Sequence, residues 1–405
     1  MNGYYIHKEP VLDKKKSIQG YEVLFRRSQA AAEGPLWPSI SLDQDVISAM
    51  SEGGGFERIT GGKRAFVSAD MLTTEIEALR ALPKGCVVQV PERDGLDKDV
   101  LLKSAMLKKL GYEIEISHEE KGMVPLHQVA SFIRIDVSDG DSDRVSLVLD
   151  LFHKLPLKFI ASGVEDEATL DVWEKLGFEL FQGPFFLKPT SGGEGISSSQ
   201  SLLMQLSNDL KANKDVPTIE KSFKNSPKLT FGLLKLINSA FFGVAQKVTS
   251  IRHAVTLLGY ENLQKWVVLL LFTIDHRDEK ANPLIERAIV RGRVMEMLAK
   301  QVGDRAALDS AFMTGMLSLV NVLFNVSASE ITEKMNLSQD IQNALLKQEG
   351  RLGTLLKIVD KMDRQDYEAA EGDLQIFGLV PSDLLVAETD AIIESQSLLG
   401  SVTSS

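Results

Sequence analysis

KKLGYEIEI at residues 108–116 and EKLGFELFQ at residues 174–182 are one structural unit written twice. In each, a helical apolar stripe ends at a glycine that suits a left-handed stop, and a short alternating run follows. Leu102, Met106 and Leu110 stack at i, i+4, i+8 before Gly111, and Leu170, Trp173 and Leu176 line up before Gly177. Outward from this pair, the runs at 65–70 (AFVSAD), 86–90 (CVVQV), 132–136 (FIRID) and 158–162 (KFIAS) read as further strands separated by amphipathic segments. Strands alternating with helices predict a parallel sheet, and the internal repeat favours a (β/α) barrel over an open sheet.

The barrel pattern stops near residue 190. TSGGEGISSSQ, at 190–200, has no apolar periodicity and reads as a linker. Beyond it strand-like runs vanish and apolar residues recur at helical spacing: Leu229, Leu233, Leu236 and Ile237, then Ile251, Val255 and Leu258. The expected organisation is a barrel over 1–190, a linker over 191–200 and an all-α domain over 201–400. A chain of 405 residues has material for two such cores.

Composition narrows the function classes. With 44% hydrophobic and 25% charged residues, the chain reads as ordinary globular protein. No basic run followed by an apolar stretch opens it, and the apolar run Val267 to Ile274 is too short for a bilayer, so a cytoplasmic protein is expected. Cys86 is the only cysteine, which excludes an internal disulfide and a cysteine zinc site. A net charge of −11 disfavours nucleic acid as a partner.

At the strand ends, where a barrel carries its chemistry, the residues resemble a known family. Glu22, Val23, Leu24, Phe25, Arg26 looks like the Glu-x-Leu-x-Arg signature of EAL domains, the cyclic di-GMP phosphodiesterases. Phe181, Gln182, Gly183, Pro184, then Leu187, Lys188, Pro189 looks like their closing motif, and the intervening strands resemble the family's in order. The resemblance implies metal-assisted phosphodiester hydrolysis, with divalent ions held by carboxylates and an Asn.

Carried over position by position, most of that machinery is missing. Glu22 keeps the first ligand, but the Asn position is Ser68, the first Glu of Glu-x-x-Glu is Gln89, and the Asp-Asp pair is Ser117 and His118. The Lys position is Arg134, which stays protonated and cannot act as a base, and the first Glu of Ala-Glu-Gly-Val-Glu is Ser162. Glu22, Glu92 and Glu165 alone make a poor cage for two divalent ions, so no metal, no cofactor and no hydrolysis are expected. By the resemblance, Glu22, Leu24, Arg26, Arg134, Glu165 and Gln182 outline a pocket that either is a structural relic or binds cyclic di-GMP without cleaving it. His118, beside Glu119 and Glu120, reads as a solvated loop residue, and Gly53, Gly54 and Gly55, lacking Walker spacing, as a surface loop.

The second half resembles the HDOD domain, a helical module related to metal-dependent HD phosphohydrolases. The run Leu236, Ile237, Asn238, Ser239, Ala240, Phe241, Phe242, Gly243 carries the likeness, with Ser250, Ile251, Ala254, Val255, Leu257, Leu258 and Gly259. The His-Asp pair of the hydrolases falls on Ser318 and Leu319, neither a useful ligand, and His253 and His276 show no ligand spacing. Asn238 and Ser239 are expected to shape a helix corner. Arg287, Arg291 and Arg293 read as a basic stripe facing water or an acidic partner, and the run 266–272 as buried core.

An EAL-like barrel before an HDOD module resembles a family of cyclic di-GMP-related signalling proteins of the YuxH type. It implies a non-catalytic signalling protein whose partners are other signalling proteins, with self-association also open. The alternatives are a cyclic di-GMP receptor without hydrolysis and an active phosphodiesterase.

Overall fold

The computed structural model describes residues 4–403 except 28–41, 43, 52–54, 73, 92–93, 95–96, 119–124, 190–194, 225–226, 239–247, 274–281 and 304–307. Glu92, Glu119, Glu120, Ser239, His276, Gly53 and Gly54 therefore lie outside the described residues. The chain divides into two compact units, Met1–Lys188 and Pro189–Ser405.

In the first unit eight strands close into a barrel in the order β1 to β8. They are β1 (Tyr4–Asp13), β2 (Ile18–Arg27), β3 (Arg64–Ser68), β4 (Val87–Pro91), β5 (Glu113–Ser117), β6 (Phe132–Asp136), β7 (Lys158–Ser162) and β8 (Leu180–Gln182). The expected parallel sheet needs one correction, because β1 runs antiparallel to both β2 and β8 while the other pairs are parallel. Only four residues separate β1 from β2, Lys14 to Ser17, too few for a parallel crossover, so the chain turns back as a hairpin.

Helices connect the later strands: α1 (Gln44–Ser51) and α2 (Gly55–Thr60) precede β3, and α3 (Ile76–Leu79) precedes β4. Then α4 (Lys98–Lys109), α5 (Ser142–Phe152) and α6 (Glu167–Leu176) each lead into, or follow from, the next strands. Their boundaries follow from the sequence. Asp97, Asp141 and Asp166 cap the starts of α4, α5 and α6, and Gly177 ends α6 at φ +106°.

The stripe read on α4 is corrected. Leu102 and Met106 are 63% and 44% exposed, while Val100, Ser104 and Leu107 form the buried face. The segment carries two candidate stripes, and Ser104 is small enough to let its side of the helix approach the sheet.

Inside the barrel, Val11, Phe66, Val87, Phe132, Ile160 and Leu180 form one buried apolar layer, with the Phe66 and Phe132 rings edge to face at 5.6 Å. Gly20 makes room for it, since a Cβ there would sit 2.8 Å from the Phe66 ring and 2.7 Å from the Arg64 carbonyl.

Among the described residues the second unit is helical and holds no strand: α7 (Ser198–Lys211), α8 (Val216–Lys224), α9 (Pro227–Ile237), α10 (Ile251–Thr273), α11 (Pro283–Gln301), α12 (Leu308–Leu317) and α13 (Val320–Phe324). It continues with α14 (Ala328–Lys334), α15 (Gln339–Lys347), α16 (Gly350–Asp363), α17 (Tyr367–Ile376) and α18 (Pro381–Thr403). A capping box of Ser197 and Gln200 opens α7, so the linker ends at Ser197 rather than residue 200. Asn238 fixes the corner as its residue type suggested: its amide donates to the Leu234 and Val248 carbonyls, and its Oδ1 accepts from the Val248 amide, each at 2.7 Å. Residues 267–272 of α10 are buried without a break, as their all-round hydrophobicity requires, while Trp266 at the start of the run is half-buried. Among the described residues no single helix is long and apolar enough to cross a membrane.

Candidate functional site

Above the apolar layer the barrel interior turns polar. Strand alternation sends Glu9, Glu22, Gln89, Glu115, Arg134 and Gln182 inward, and register sets Glu9 beside Glu22 and Gln89 beside Glu115. Neighbouring carboxylates repel, so each pair needs a donor between its members. The Gln182 amide donates to both Glu9 and Glu22, and the Gln89 amide donates to Glu22 at 2.9 Å and Glu115 at 3.1 Å.

Arg134 completes the group. Its Nε donates to Glu115 Oε1 at 2.6 Å, its Nη2 to Glu115 Oε2 at 3.2 Å, and its Nη1 lies 3.7 Å from Glu22 Oε2. Burial works against the charge, yet Glu115, Glu22 and Glu9 hold the guanidinium protonated well above arginine's ordinary range. Glu115 is fully buried and Gln182 is 4% exposed.

This donor set does not fit a divalent ion. Each carboxylate oxygen of Glu22 and Glu115 already accepts a hydrogen bond, and a fixed guanidinium stands against both carboxylates. Among the described residues no group of three or more His, Cys, Asp or Glu side chains has metal-binding geometry.

The other positions marked in the sequence lie around this group. Ser68 and Ser117 are half-buried at the ends of β3 and β5, and Ser162 Oγ donates to the Ile135 carbonyl at 3.3 Å. Leu24 is half-buried opposite His7, and Arg26 is buried opposite Tyr5. Glu165, three residues past β7, is exposed and accepts from Lys188 Nζ at 3.2 Å. His118 is corrected from a solvated residue to a half-buried one: its ring packs edge-on against Phe152 at 5.6 Å, and its amide extends the ladder to the Arg134 carbonyl at 2.9 Å.

Glu115 and Glu9 were missed by motif matching. The signal for Glu115 was the alternation EIEIS itself, which puts Glu113, Glu115 and Ser117 on one face of a strand enclosed on both sides. A carboxylate there demands a buried partner, and Arg134 is the cation on the adjacent strand.

In the helical unit, Ser318 and Leu319 lie between α12 and α13. Ser318 Oγ donates to the Gly315 carbonyl at 2.7 Å, and Leu319 is buried. The arginine stripe on α11 is corrected from a solvated or partner-facing surface to an internal one. Arg287 and Arg291 are buried and meet the two Asp363 oxygens at 3.1 and 3.0 Å, while Arg291 also pairs with Asp360. Burial raises the Asp363 carboxyl above its ordinary value, against the lowering pull of the two arginines. Arg293 points to a different neighbour, donating to Glu394 at 2.6 Å. The apolar residues on every side of α11 were the available sign that its arginines are enclosed.

Comparison with known proteins adds the following. Residues 199–357 match the model of the HDOD domain. The chain is 24% identical to the uncharacterized protein YuxH of Bacillus subtilis, over 90% of this chain and 91% of that protein. It is also 24% identical to the cyclic di-GMP phosphodiesterase CdgJ of Vibrio cholerae, over 91% of this chain and 86% of that protein. A solved structure of PaMucR phosphodiesterase in complex with c-di-GMP covers 45% of this chain and 94% of that one, at 22% identity and a TM-score of 0.37.

Proposed function

Because the chain is a two-domain protein in which an EAL-type barrel precedes an HDOD domain, we propose that it is a non-catalytic signal-transduction protein acting through protein–protein contacts. The barrel is its scaffold and the helical domain its output. The single observation carrying this reading is the Arg134 guanidinium locked to Glu115 and facing Glu22. Phosphodiester hydrolysis of the metal-assisted kind needs an ion to generate hydroxide and to clamp the phosphate. Here the protein itself sets a fixed positive charge between Glu115 and Glu22, where an ion would have to sit. Arginine at this position also holds its proton too tightly to accept one from water.

The expected partners are other signalling proteins. Titration calorimetry of the purified chain with cyclic di-GMP, with and without Mg²⁺, tests the reading. It predicts no saturable heat in either case. Saturable, Mg²⁺-independent binding would replace the scaffold with a receptor, for which the buried Arg26 and Gln182 are the available contacts.

A further inference from the structure

One crossover of the barrel differs from its neighbours. The crossovers on either side of it carry full helices, α4 of 12 residues before β5 and α5 of 11 residues after β6. Between β5 and β6 the described residues hold only the 3₁₀ turn Pro125–Gln128. That connection lies between the two helices. Lys108 on α4 donates to the Val129 and Ala130 carbonyls at 2.8 and 3.2 Å, and the His127 ring lies 4.5 Å from that of Phe152 on α5.

Each flanking helix shows solvent an apolar pair one turn apart. On α4 the pair is Leu102 and Met106, and on α5 it is Leu147 and Leu151, 70% and 48% exposed. Neither pair serves its own helix, since α4 buries Val100, Ser104 and Leu107, and α5 buries Val145, Val148 and Phe152. Four large apolar side chains flanking one connection make a surface that gains by being covered.

Charge decides what covers it. On α4 Lys98 and Lys109 bracket the apolar pair, and on α5 Asp143 and Asp150 lie beside theirs, all four exposed. Among the described residues none of the four has an ion-pair partner, whereas the nearby Lys103 and Arg144 are taken by Asp99 and Asp139. By helical rise the two lysines stand about 16 Å apart and the two aspartates about 10 Å, a difference that the long lysine side chain spans. Laid on its own kind, α4 sets lysine against lysine, and α5 sets aspartate against aspartate. Laid on each other they bring opposite charges together, and because one chain carries both, a two-fold axis makes the contact twice.

We propose that this face binds a second copy of the chain, with α4 of each copy lying on α5 of the other. The apolar pairs supply the affinity. The flanking charges set orientation and choice of partner, since exposed ion pairs add little by themselves. Two short helix contacts make a small interface, so the dimer dissociates on dilution. The contact goes beyond the scaffold reading and holds whether or not the barrel interior binds a nucleotide.

The test is sedimentation velocity of the full chain from about 1 to about 200 μM, the range in which a small interface forms. A concentration-dependent dimer that weakens as salt rises is expected. Leu147→Glu, at the most exposed of the four apolar positions, should leave the chain monomeric. Lys98→Glu with Lys109→Glu, and separately Asp143→Lys with Asp150→Lys, should each weaken self-association about tenfold or more. An equimolar mixture of these two variants should recover it, because both helix contacts of the mixed dimer again join opposite charges. Circular dichroism and thermal melts establish that the variants are folded. A natural chain monomeric throughout, a dimer indifferent to the reversals, or a mixture that stays dissociated overturns the proposal.

Discussion

Arg134 and Glu115 share a two-pronged ion pair inside the barrel, Nε to Oε1 at 2.6 Å and Nη2 to Oε2 at 3.2 Å, joining β6 to β5. A planar guanidinium against a carboxylate is a directional contact, and at zero solvent exposure for Glu115 it has no competitor from water. The pair therefore weighs on the chemistry of the whole interior: it places a fixed positive charge within the layer of Glu9, Glu22 and Glu115.

Removing one member should be far worse than removing both. Arg134→Met leaves the buried Glu115 and the half-buried Glu22 without their cation and is expected to cost about 3–5 kcal/mol, read from urea unfolding. Arg134→Met combined with Glu115→Met should recover most of that loss. A cost under about 1 kcal/mol for the single variant would mean the pair does not hold the interior together.

Rebuilding the ligand set should reverse the balance. Ser68→Asn, Gln89→Glu, Ser117→Asp, His118→Asp and Arg134→Lys together add anionic oxygens and remove the bidentate clamp. The combined variant is expected to melt lower than the natural chain without metal, and to gain stability as Mg²⁺ rises, by the logarithmic dependence of a ligand that binds only the folded state. The natural chain should show no such Mg²⁺ dependence in the same melts.

In the helical unit, α11 and α12 touch through glycines. A Cβ on Gly315 would lie 2.6 Å from the Arg291 carbonyl oxygen and 2.7 Å from Gly292 Cα, both backbone atoms that cannot swing aside. Gly315→Ala is therefore expected to destabilise this unit by about 2–3 kcal/mol, in spite of alanine's better helix propensity. Thermal unfolding of the variant checks it.

Lys265 on α10 ties three helices, reaching Glu296 on α11 at 2.8 Å and also Asp309 on α12. Burial works against its charge, but the two carboxylates raise its proton affinity above the ordinary lysine value. A cation whose folded value is raised stabilises fully below its unfolded value, about 10.4, and loses that contribution as pH climbs through the folded value. Lys265→Met should cost about 2 kcal/mol at pH 8. The gap between the two proteins should narrow above about pH 10.4, as followed by urea unfolding at each pH.

The barrel was legible because its repeats carry their own punctuation. KKLGYEIEI and EKLGFELFQ end helices at Gly111 and Gly177, and both glycines take positive φ, +92° and +106°. The antiparallel β1 was not legible from helix–strand alternation, since it belongs to a hairpin that precedes the first helix. Motif matching named Glu22, Gln89, Arg134 and Gln182, which the fold brings together, but it passed over Glu115 and Glu9, which occupy no signature position. Which carboxylates share an enclosed space is a matter of strand register, and register appears only once the barrel is closed. The Arg287–Asp363 pair was hidden for a similar reason: its partners are 76 residues apart and meet only through packing of α11 on α16.

Chromatographic assay of cyclic di-GMP turnover bears most directly on the proposal that a guanidinium occupies the barrel interior where metal-assisted hydrolysis would need an ion. Incubated with Mg²⁺ or Mn²⁺, the purified chain is predicted to leave the cyclic dinucleotide intact. Accumulation of the linear dinucleotide by the natural chain, abolished by Glu22→Ala, would contradict it.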